Sequence, residues 1–217
     1  MEKSARSYNS TLRENKKELS KQALLNSALD LFYDKGRAAT QINEITKNAG
    51  KSMGSFYVHF KDKEDLVDNL LNNFNAGYLD RFSDQFEMGI PSNRDDLLNG
   101  LAHAFLDYWK ENEKFVVVYI EKVRGAKGLK DLSEGFSPEL IDALCWTLED
   151  QAKALGKTIK NGKLIIHGIF GMWMRVGLQY LFNESVNKED AIDSLVRLTR
   201  GALEEFLVVL KHNPKKY

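Results

Sequence analysis

The segment KSMGSFYVHFKDKEDL, Lys51–Leu66, brings together side chains whose polar groups could bind a charged ligand. On a helix, Phe56 and Phe60 fall one turn apart and face inward. Tyr57 and His59 then present a phenol and an imidazole outward, and lysines lie on both sides of the segment. The segment therefore offers hydrogen-bond donors and positive charge at one surface, which is the chemistry of polyanion binding.

The charge of the chain is divided unevenly, although its net charge is zero. Residues 1–63 hold twelve Lys and Arg against seven Asp and Glu, a net charge of +5. The rest of the chain holds nineteen against twenty-four, a net charge of −5. A basic N-terminal third on an acidic body indicates that one end of the molecule meets a polyanion.

Four helices are predicted to position the segment, over about residues 19–35, 42–49, 52–60 and 62–74. The apolar stripe of the first begins at Leu19, and Thr40 is a favourable N-cap for the second. Gly50 breaks the second helix, and Ser52 can cap the third. Helices this short are not stable singly, so they must share a core. A short helix set on another after a tight turn is helix-turn-helix geometry, whose second helix can enter the major groove of DNA.

The remainder of the chain also has helical periodicity. Longer helices are predicted over about residues 97–109, 113–123, 140–155, 159–182 and 188–212. The chain has only three prolines in 217 residues and no Pro-, Gly- or Ser-rich linker. These features predict an all-α fold.

Composition and motifs exclude several classes of protein. The single cysteine, Cys145, leaves no intrachain disulfide and no thiolate metal cluster. His103 and His167 have no partner at metal-ligand spacing, and nucleophile-elbow, P-loop and dinucleotide motifs are absent. We therefore predict no metal, no cofactor and no enzymatic activity. The most apolar run, residues 164–174, is too short to span a bilayer, and no secretory signal opens the chain, so we expect a cytoplasmic protein.

The segment TQINEITKNAGKSMGSFYVHFKDKEDLV resembles the DNA-binding domain of the TetR/AcrR family of transcriptional regulators. The resemblance covers about residues 24–67 and includes the preceding ALDLFYDKG, which is similar to the first helix of the family. The matching positions are Thr40, Ile45, Ala49–Gly50, Ser52, Gly54, Tyr57, His59, Phe60, Lys63, Glu64 and Leu66. Two positions depart from the family pattern: Lys51 stands where a small apolar residue is usual, and Thr46 where Ala is usual.

The resemblance implies roles for individual residues. Phosphate contacts would come from Thr40, Tyr57 and His59, with the charge of Lys63 at the N-terminus of the fourth helix. Base contacts would come from Ser52, Met53 and Ser55, together with Lys51 and Gln41. Met53 can offer a thymine methyl only apolar contact. The implied partner is double-stranded DNA.

The resemblance also implies an effector-binding and dimerisation domain after the DNA-binding domain. The implied divisions are a flexible basic arm at 1–17, the helix-turn-helix domain at 18–66 and the effector and dimer domain at 67–217. The last two helices are apolar enough to pair with a second chain in a four-helix homodimer interface. Aromatic residues of the central region fit an apolar cavity in which a few polar groups fix a ligand. The candidate effector contacts are Phe82, His103, Phe105, Trp109, Tyr119, Trp146, His167, Phe170, Trp173 and Met174.

These inferences predict a homodimeric regulator, a repressor of a palindromic operator that a small, mainly apolar effector releases. Two alternatives stay open on the sequence. One is a DNA-binding regulator without a small-molecule effector, switched by a protein partner. The other is an enzyme that uses the aromatic cavity, which turnover of a cavity ligand would reveal.

Overall fold

The structure is a computed structural model, and it describes residues 2–87, 94–124, 138–154 and 156–209. Its helices are α1 (Glu2–Lys35), α2 (Ile42–Asn48), α3 (Met53–His59), α4 (Lys63–Glu87), α5 (Arg94–Glu111), α6 (Glu113–Arg124), α7 (Pro138–Ala154), α8 (Gly162–Phe182) and α9 (Lys188–Phe206). The predicted all-α fold is confirmed. Two three-residue strands, β1 (Lys157–Ile159) and β2 (Leu207–Val209), pair antiparallel, with Thr158 opposite Val208. The prediction that the last helix continues to His212 is wrong for residues 207–209, which form β2 instead; the residues beyond lie outside the described range.

The described chain forms two compact units. The first contains the residues up to Phe74 together with Lys114–Arg124, and the second contains the described residues of 75–113 and from Pro138 onward. Helix α4 therefore contributes to both units, and α6 contributes almost all of its length to the first. The functional division predicted from the sequence, with a boundary at residue 66, stays a prediction.

The first unit has one apolar core to which α1, α2, α3, α4 and α6 all contribute. Its buried members are Leu24, Leu25, Ala28, Leu29, Phe32, Ile45, Phe56, Phe60, Leu66, Val67, Leu70, Leu71 and Val118. Polar contacts also attach α6 to this unit. The carboxylate of Glu121 accepts a hydrogen bond from the backbone N–H of Arg37 at 2.9 Å, and Lys122 pairs with Asp68 at 2.5 Å.

Helix α1 extends further toward the N-terminus than the apolar pattern predicts. It begins at Glu2, whereas the predicted stripe begins at Leu19. Leu19 itself is 71% exposed, and all of residues 11–19 are exposed. The first buried residue of the stripe is Leu24. Whether the predicted arm at 1–17 is flexible stays a prediction.

The second unit packs α5 against α8 and α9, and α7 against α8. Helices α5 and α8 approach closely where Gly177 faces the rings of Phe105 and Trp109. A Cβ atom at Gly177 would lie 2.8 Å from Trp109 Cε3 and 2.9 Å from Phe105 Cε1. Gly177 therefore serves helix packing within the protomer.

None of the described helices combines the length and the apolar composition that a bilayer span requires. Over the same residues, no group of three or more His, Cys, Asp or Glu side chains is arranged to hold a metal ion.

The close approach at Gly177 predicts a specific loss of stability. Gly177→Ala forces a methyl group against two aromatic rings, and we expect the free energy of unfolding to fall by about 1–3 kcal/mol, the usual cost of overpacking. Gly201→Ala is the matched control, because nothing lies within 4 Å of a Cβ atom there and the position is exposed on a helix. Urea unfolding of both variants measures the difference, and equal stability of the two variants would contradict this packing.

Candidate nucleic-acid interface and apolar cavity

Helices α2 and α3 are joined by a tight turn at Ala49–Ser52. Gly50 has a φ of 62°, in the left-handed region that glycine adopts without strain. The turn is closed by the backbone N–H of Lys51, which donates to the carbonyl of Thr46 at 2.8 Å. Ser52 is the N-cap of α3, and its hydroxyl accepts a hydrogen bond from the backbone N–H of Ser55 at 3.1 Å. This is the predicted helix-turn-helix.

The two faces of α3 differ sharply in exposure. Phe56 and Phe60 are 0% and 1% exposed, with ring centroids 5.4 Å apart, and both belong to the core of the first unit. Tyr57 is 56% exposed. Its ring packs edge to face with that of Phe56, with 5.4 Å between the ring centroids. His59 is half-buried. The predicted orientations of the phenylalanines and of Tyr57 are therefore those observed.

Helix α1 fixes both helices of the motif through serine hydroxyls. Ser27 Oγ donates to the carbonyl of Ile45 at 2.8 Å, which anchors α2. Ser20 Oγ and Ser55 Oγ lie 3.0 Å apart in a hydrogen bond, which anchors α3. The hydroxyl of Ser55 is thus already engaged within the protein, and any base contact it makes must share that hydrogen bond.

The other predicted base-contacting residues lie on or near the open side of the motif. Gln41, Ser52 and Met53 are exposed, and Lys51 is half-buried. Met53 is further oriented by its Sδ atom, which accepts a hydrogen bond from Thr46 Oγ1 at 3.7 Å. Thr46, one of the two departures from the family pattern, therefore has a defined structural role.

Two residues predicted to meet phosphates, Thr40 and Lys63, already bind carbonyls of the protein. Thr40 is 1% exposed, and its hydroxyl donates to the carbonyl of Gly36 at 2.9 Å, so this hydroxyl does not face the surface. The N-cap of α2 is Gln41, whose backbone N–H donates to the Glu44 carboxylate at 2.8 Å. Lys63 Nζ donates to the carbonyls of Arg37 and Thr40, each at 2.8 Å, so Lys63 closes the α1–α2 connection. Its charge stays at the start of α4, but two of its three donors are used.

Two lysines not predicted from the sequence as contacts, Lys17 and Lys21, belong to this surface. Partial burial lowers the pKa of His59, and the positive charges of Lys17, Lys21 and Lys51 lower it further, against the opposing charge of Glu18. Lys17 and Lys21 lie one turn apart on α1, on either side of Ser20 in the sequence. The signal in the sequence was their spacing of four residues, which places both on one side of a helix. The lowered pKa disfavours the charged imidazole, and the three lysines create a local field that favours an anion.

The second unit contains an apolar cavity of about 110 Å³. Its lining comes from α4, α5, α7, α8 and α9. The lining residues are Tyr78, Phe82, Leu97, Leu98, Leu101, Leu144, Leu148, Ile166, Ile169, Phe170, Trp173, Thr199 and Leu203. Three of the predicted effector contacts, Phe82, Phe170 and Trp173, are among them.

The remaining predicted effector contacts do not line this cavity. Phe105 and Trp109 are buried behind it, and the Phe105 ring meets that of Trp173 at 5.2 Å between centroids. Tyr119 packs on the core of the first unit. The other four residues are exposed or half-buried, because the buried residues of their helices lie on other sides. His103, Trp146 and His167 are exposed, Trp146 at 69%, and Met174 is half-buried.

The missed lining residues are mostly leucines and isoleucines, which in a sequence cannot be told from ordinary core. Their signal appears only when the helices are assembled. Tyr78 is the exception, because a tyrosine within an apolar stripe needs a partner for its hydroxyl. Within the described residues that hydroxyl is buried without one.

The fold and the surface of α3 define a helical protein with an N-terminal helix-turn-helix. Residues 24–70 match the family model described as bacterial regulatory proteins, tetR family. The likeness to this family thus covers the helix-turn-helix region, from residue 24 in α1 to the first turns of α4.

Among known proteins, this chain is similar to HTH-type transcriptional repressors. The HTH-type transcriptional repressor KstR2 of Mycolicibacterium smegmatis is 32% identical over 111 residues, which are 51% of this chain and 52% of that protein. This chain thus spans about half the length of the KstR2 repressors that it matches.

Solved structures share the fold over most of their length. A TetR-family transcriptional regulator from Syntrophomonas wolfei superposes with a TM-score of 0.73 at 21% identity, covering 89% of this chain and 98% of that one. The fatty acid degradation regulator FadR of Bacillus halodurans superposes with a TM-score of 0.63 at 18% identity, covering 89% and 97%. At these identities the likeness concerns the fold.

The lowered pKa of His59 predicts how binding to a polyanion depends on pH. A bound phosphate raises that pKa, so affinity should increase as pH falls through the pKa of the complex and level off below that of the free protein. The gain should be about tenfold for each unit by which the polyanion raises the pKa. Duplex-DNA titrations at several pH values between 5.5 and 8 compare the native protein with His59→Gln, which retains a donor but does not titrate. Equal pH dependence of the two would contradict a phosphate contact at His59.

Proposed function

We propose that this protein is a DNA-binding transcriptional regulator that acts as a homodimer, represses a palindromic operator and is released by a small, mainly apolar effector. The single observation that carries the proposal is the geometry of α3. Its two phenylalanines are buried, Tyr57 is exposed, and half-buried His59 lies in the field of Lys17, Lys21 and Lys51. A helix held in this way can enter the major groove, with its polar tips at the phosphates along the rim. Because the partner is DNA, we place the protein in the cytoplasm.

Phosphate contacts in this proposal come from Tyr57 and His59, with charge from Lys17, Lys21 and Lys51. Hydrogen bonds and charges of this kind set the register of the protein on the duplex without reading its sequence. Lys63 contributes charge alone, since two of its donors bind carbonyls of the protein.

Base reading would fall to the exposed side of the turn and of α3. Ser52 and Gln41 offer polar groups, and Met53 offers apolar contact with a thymine methyl. Lys51 and Ser55 are half-buried and would contact base edges only at the side of the groove. This division of roles predicts an interface in which phosphate contacts outnumber base contacts.

The proposed dimer interface lies on the exposed side of α8, together with α9. Large apolar side chains remain open there in the single chain: Leu164 is 71% exposed, Phe182 51% and Leu198 48%. Gly168 and Gly171 are exposed between them, with nothing within 4 Å of a Cβ atom. Small residues in an apolar stripe would let the backbone of a second copy approach closely. A two-fold pairing of this surface also suits a palindromic site.

The proposed effector site is the cavity in the second unit. Its walls are almost wholly apolar, which fits a mainly apolar ligand. One structural neighbour is named as a fatty acid degradation regulator, and the KstR2 relatives are named as repressors. An effector releases DNA only if it binds the DNA-free conformation more tightly than the DNA-bound one. The cavity favours this reading over switching by a protein partner.

The DNA-binding proposal predicts a uniform loss of affinity in Tyr57→Phe. Removal of the hydroxyl takes away one hydrogen bond worth about 0.5–1.5 kcal/mol, so binding should weaken about twofold to tenfold on every duplex. Fluorescence anisotropy at several salt concentrations measures it, and log K should fall by about 0.9 per log unit of salt for each phosphate neutralised. Tyr33→Phe on α1 is the control and should leave binding unchanged. A flat salt dependence, or a change of base preference in Tyr57→Phe, would contradict the proposal.

The dimer proposal predicts that a charge at Leu164 separates the protomers. Burying a lysine in place of this leucine should raise the dimer dissociation constant by about tenfold or more, since a buried leucine contributes about 1.5–3 kcal/mol. Leu19→Lys is a control of matched exposure, because Leu19 is also 71% exposed. Sedimentation velocity gives the mass of each variant. A native protein that is monomeric at micromolar concentration, or a Leu164→Lys variant that dimerises normally, would overturn this interface.

A further inference from the structure

The cavity of the second unit has walls without charge. None of the described residues that line it is Lys, Arg, His, Asp or Glu. The polar side chains of the lining are Tyr78, Thr199 and the indole N–H of Trp173. A ligand that enters this cavity therefore meets apolar surface and very few polar groups.

Two of the three polar groups satisfy each other. Trp173 Nε1 donates to Thr199 Oγ1 at 2.8 Å, and both residues are buried. The remaining group is the hydroxyl of Tyr78, which is 2% exposed as a residue and has no hydrogen-bond partner among the described residues. Aromatic rings pack near the ring of Tyr78: its centroid is 4.4 Å from that of Phe82 and 6.3 Å from that of Phe170.

An orphaned hydroxyl of this kind is unusual in a native protein. Nearly all buried polar groups are hydrogen-bonded, and one left without a partner costs about 1–3 kcal/mol. A phenylalanine at this position would fill the same volume without that cost. Burial also raises the pKa of Tyr78 well above its ordinary value, so the hydroxyl retains its proton and is available as a donor.

We propose that the Tyr78 hydroxyl donates a hydrogen bond to the carbonyl oxygen of an uncharged, otherwise apolar ligand in this cavity. The inference rests on the effector site of the proposed function and specifies its ligand chemistry. A carbonyl oxygen supplies the acceptor that the cavity lacks, and an apolar body matches the walls. An ionised carboxylate would lose its hydration with no cation among the described lining residues to compensate it.

Three small probes of nearly equal size separate these chemistries. Methyl pentyl ketone carries an uncharged carbonyl, heptane lacks any acceptor, and hexanoate replaces the methyl group of the ketone with a negatively charged oxygen. Calorimetric titration of each probe into the full-length protein at pH 7.5 gives its affinity. We expect the ketone to bind more tightly than heptane and much more tightly than hexanoate.

Tyr78→Phe tests the proposed hydrogen bond directly, because it removes only the hydroxyl. The variant should bind the ketone about twofold to tenfold more weakly, as expected for one hydrogen bond, and bind heptane as the native protein does. Without ligand, the variant should melt at a higher temperature than the native protein, because it no longer buries an unsatisfied group. Tyr33→Phe, on an exposed tyrosine outside this unit, should change none of these values.

The outcomes distinguish this inference from the proposed function. Probe binding that does not depend on the carbonyl or on Tyr78 would overturn the inference and leave an apolar effector in place. A lower melting temperature of ligand-free Tyr78→Phe would show that a buried water or another group already satisfies the hydroxyl, which also overturns it. Failure of all three probes to bind a protein that still binds DNA would overturn both the inference and the apolar effector.

Discussion

The burial of Phe56 and Phe60 determines what the first unit can do. Helix α3 has seven residues, too few for a helix to persist in water by itself. Each buried phenylalanine contributes about 1.5–3 kcal/mol relative to exposure, which is enough to hold so short an element on the core. Once these two positions face inward, the helical period leaves Tyr57 on the open side. The exposure of the proposed DNA-contacting face is therefore a consequence of core packing.

Helix α1 connects this packing to the charge of the surface. Its apolar stripe supplies a large part of the core, while Ser27 and Ser20 bind α2 and α3 directly. The same helix places the charges of Lys17 and Lys21 close enough to His59 to add to the effect of burial in lowering its pKa. A single helix thus sets both the orientation of the motif and its electrostatics. Part of the excess positive charge of the first 63 residues therefore lies near His59 of α3.

The parts of this structure that were predictable from the sequence depend on short-range periodicity. Phe56 and Tyr57 could be assigned to different sides of α3 because neighbouring residues on a helix are about 100° apart. Thr40 and Lys63 could not be assigned, because their partners are carbonyls of the α1–α2 connection that only tertiary structure brings near. The cavity was predicted as a kind of site, but most of its lining was not. Trp146 was predicted to line the cavity but is exposed, because the rotation of α7 about its axis depends on the helices that pack against it.

The central claim is that α3 presents its open face to the phosphates of a duplex. The most direct measurement is a crystal structure of the protein bound to duplex DNA. Our account predicts α3 in the major groove, with the Tyr57 hydroxyl and a ring nitrogen of His59 about 2.7–3.2 Å from phosphate oxygens, the usual hydrogen-bond distance. A complex in which DNA contacts another surface, or in which Tyr57 and His59 both face away from the phosphates, would contradict it.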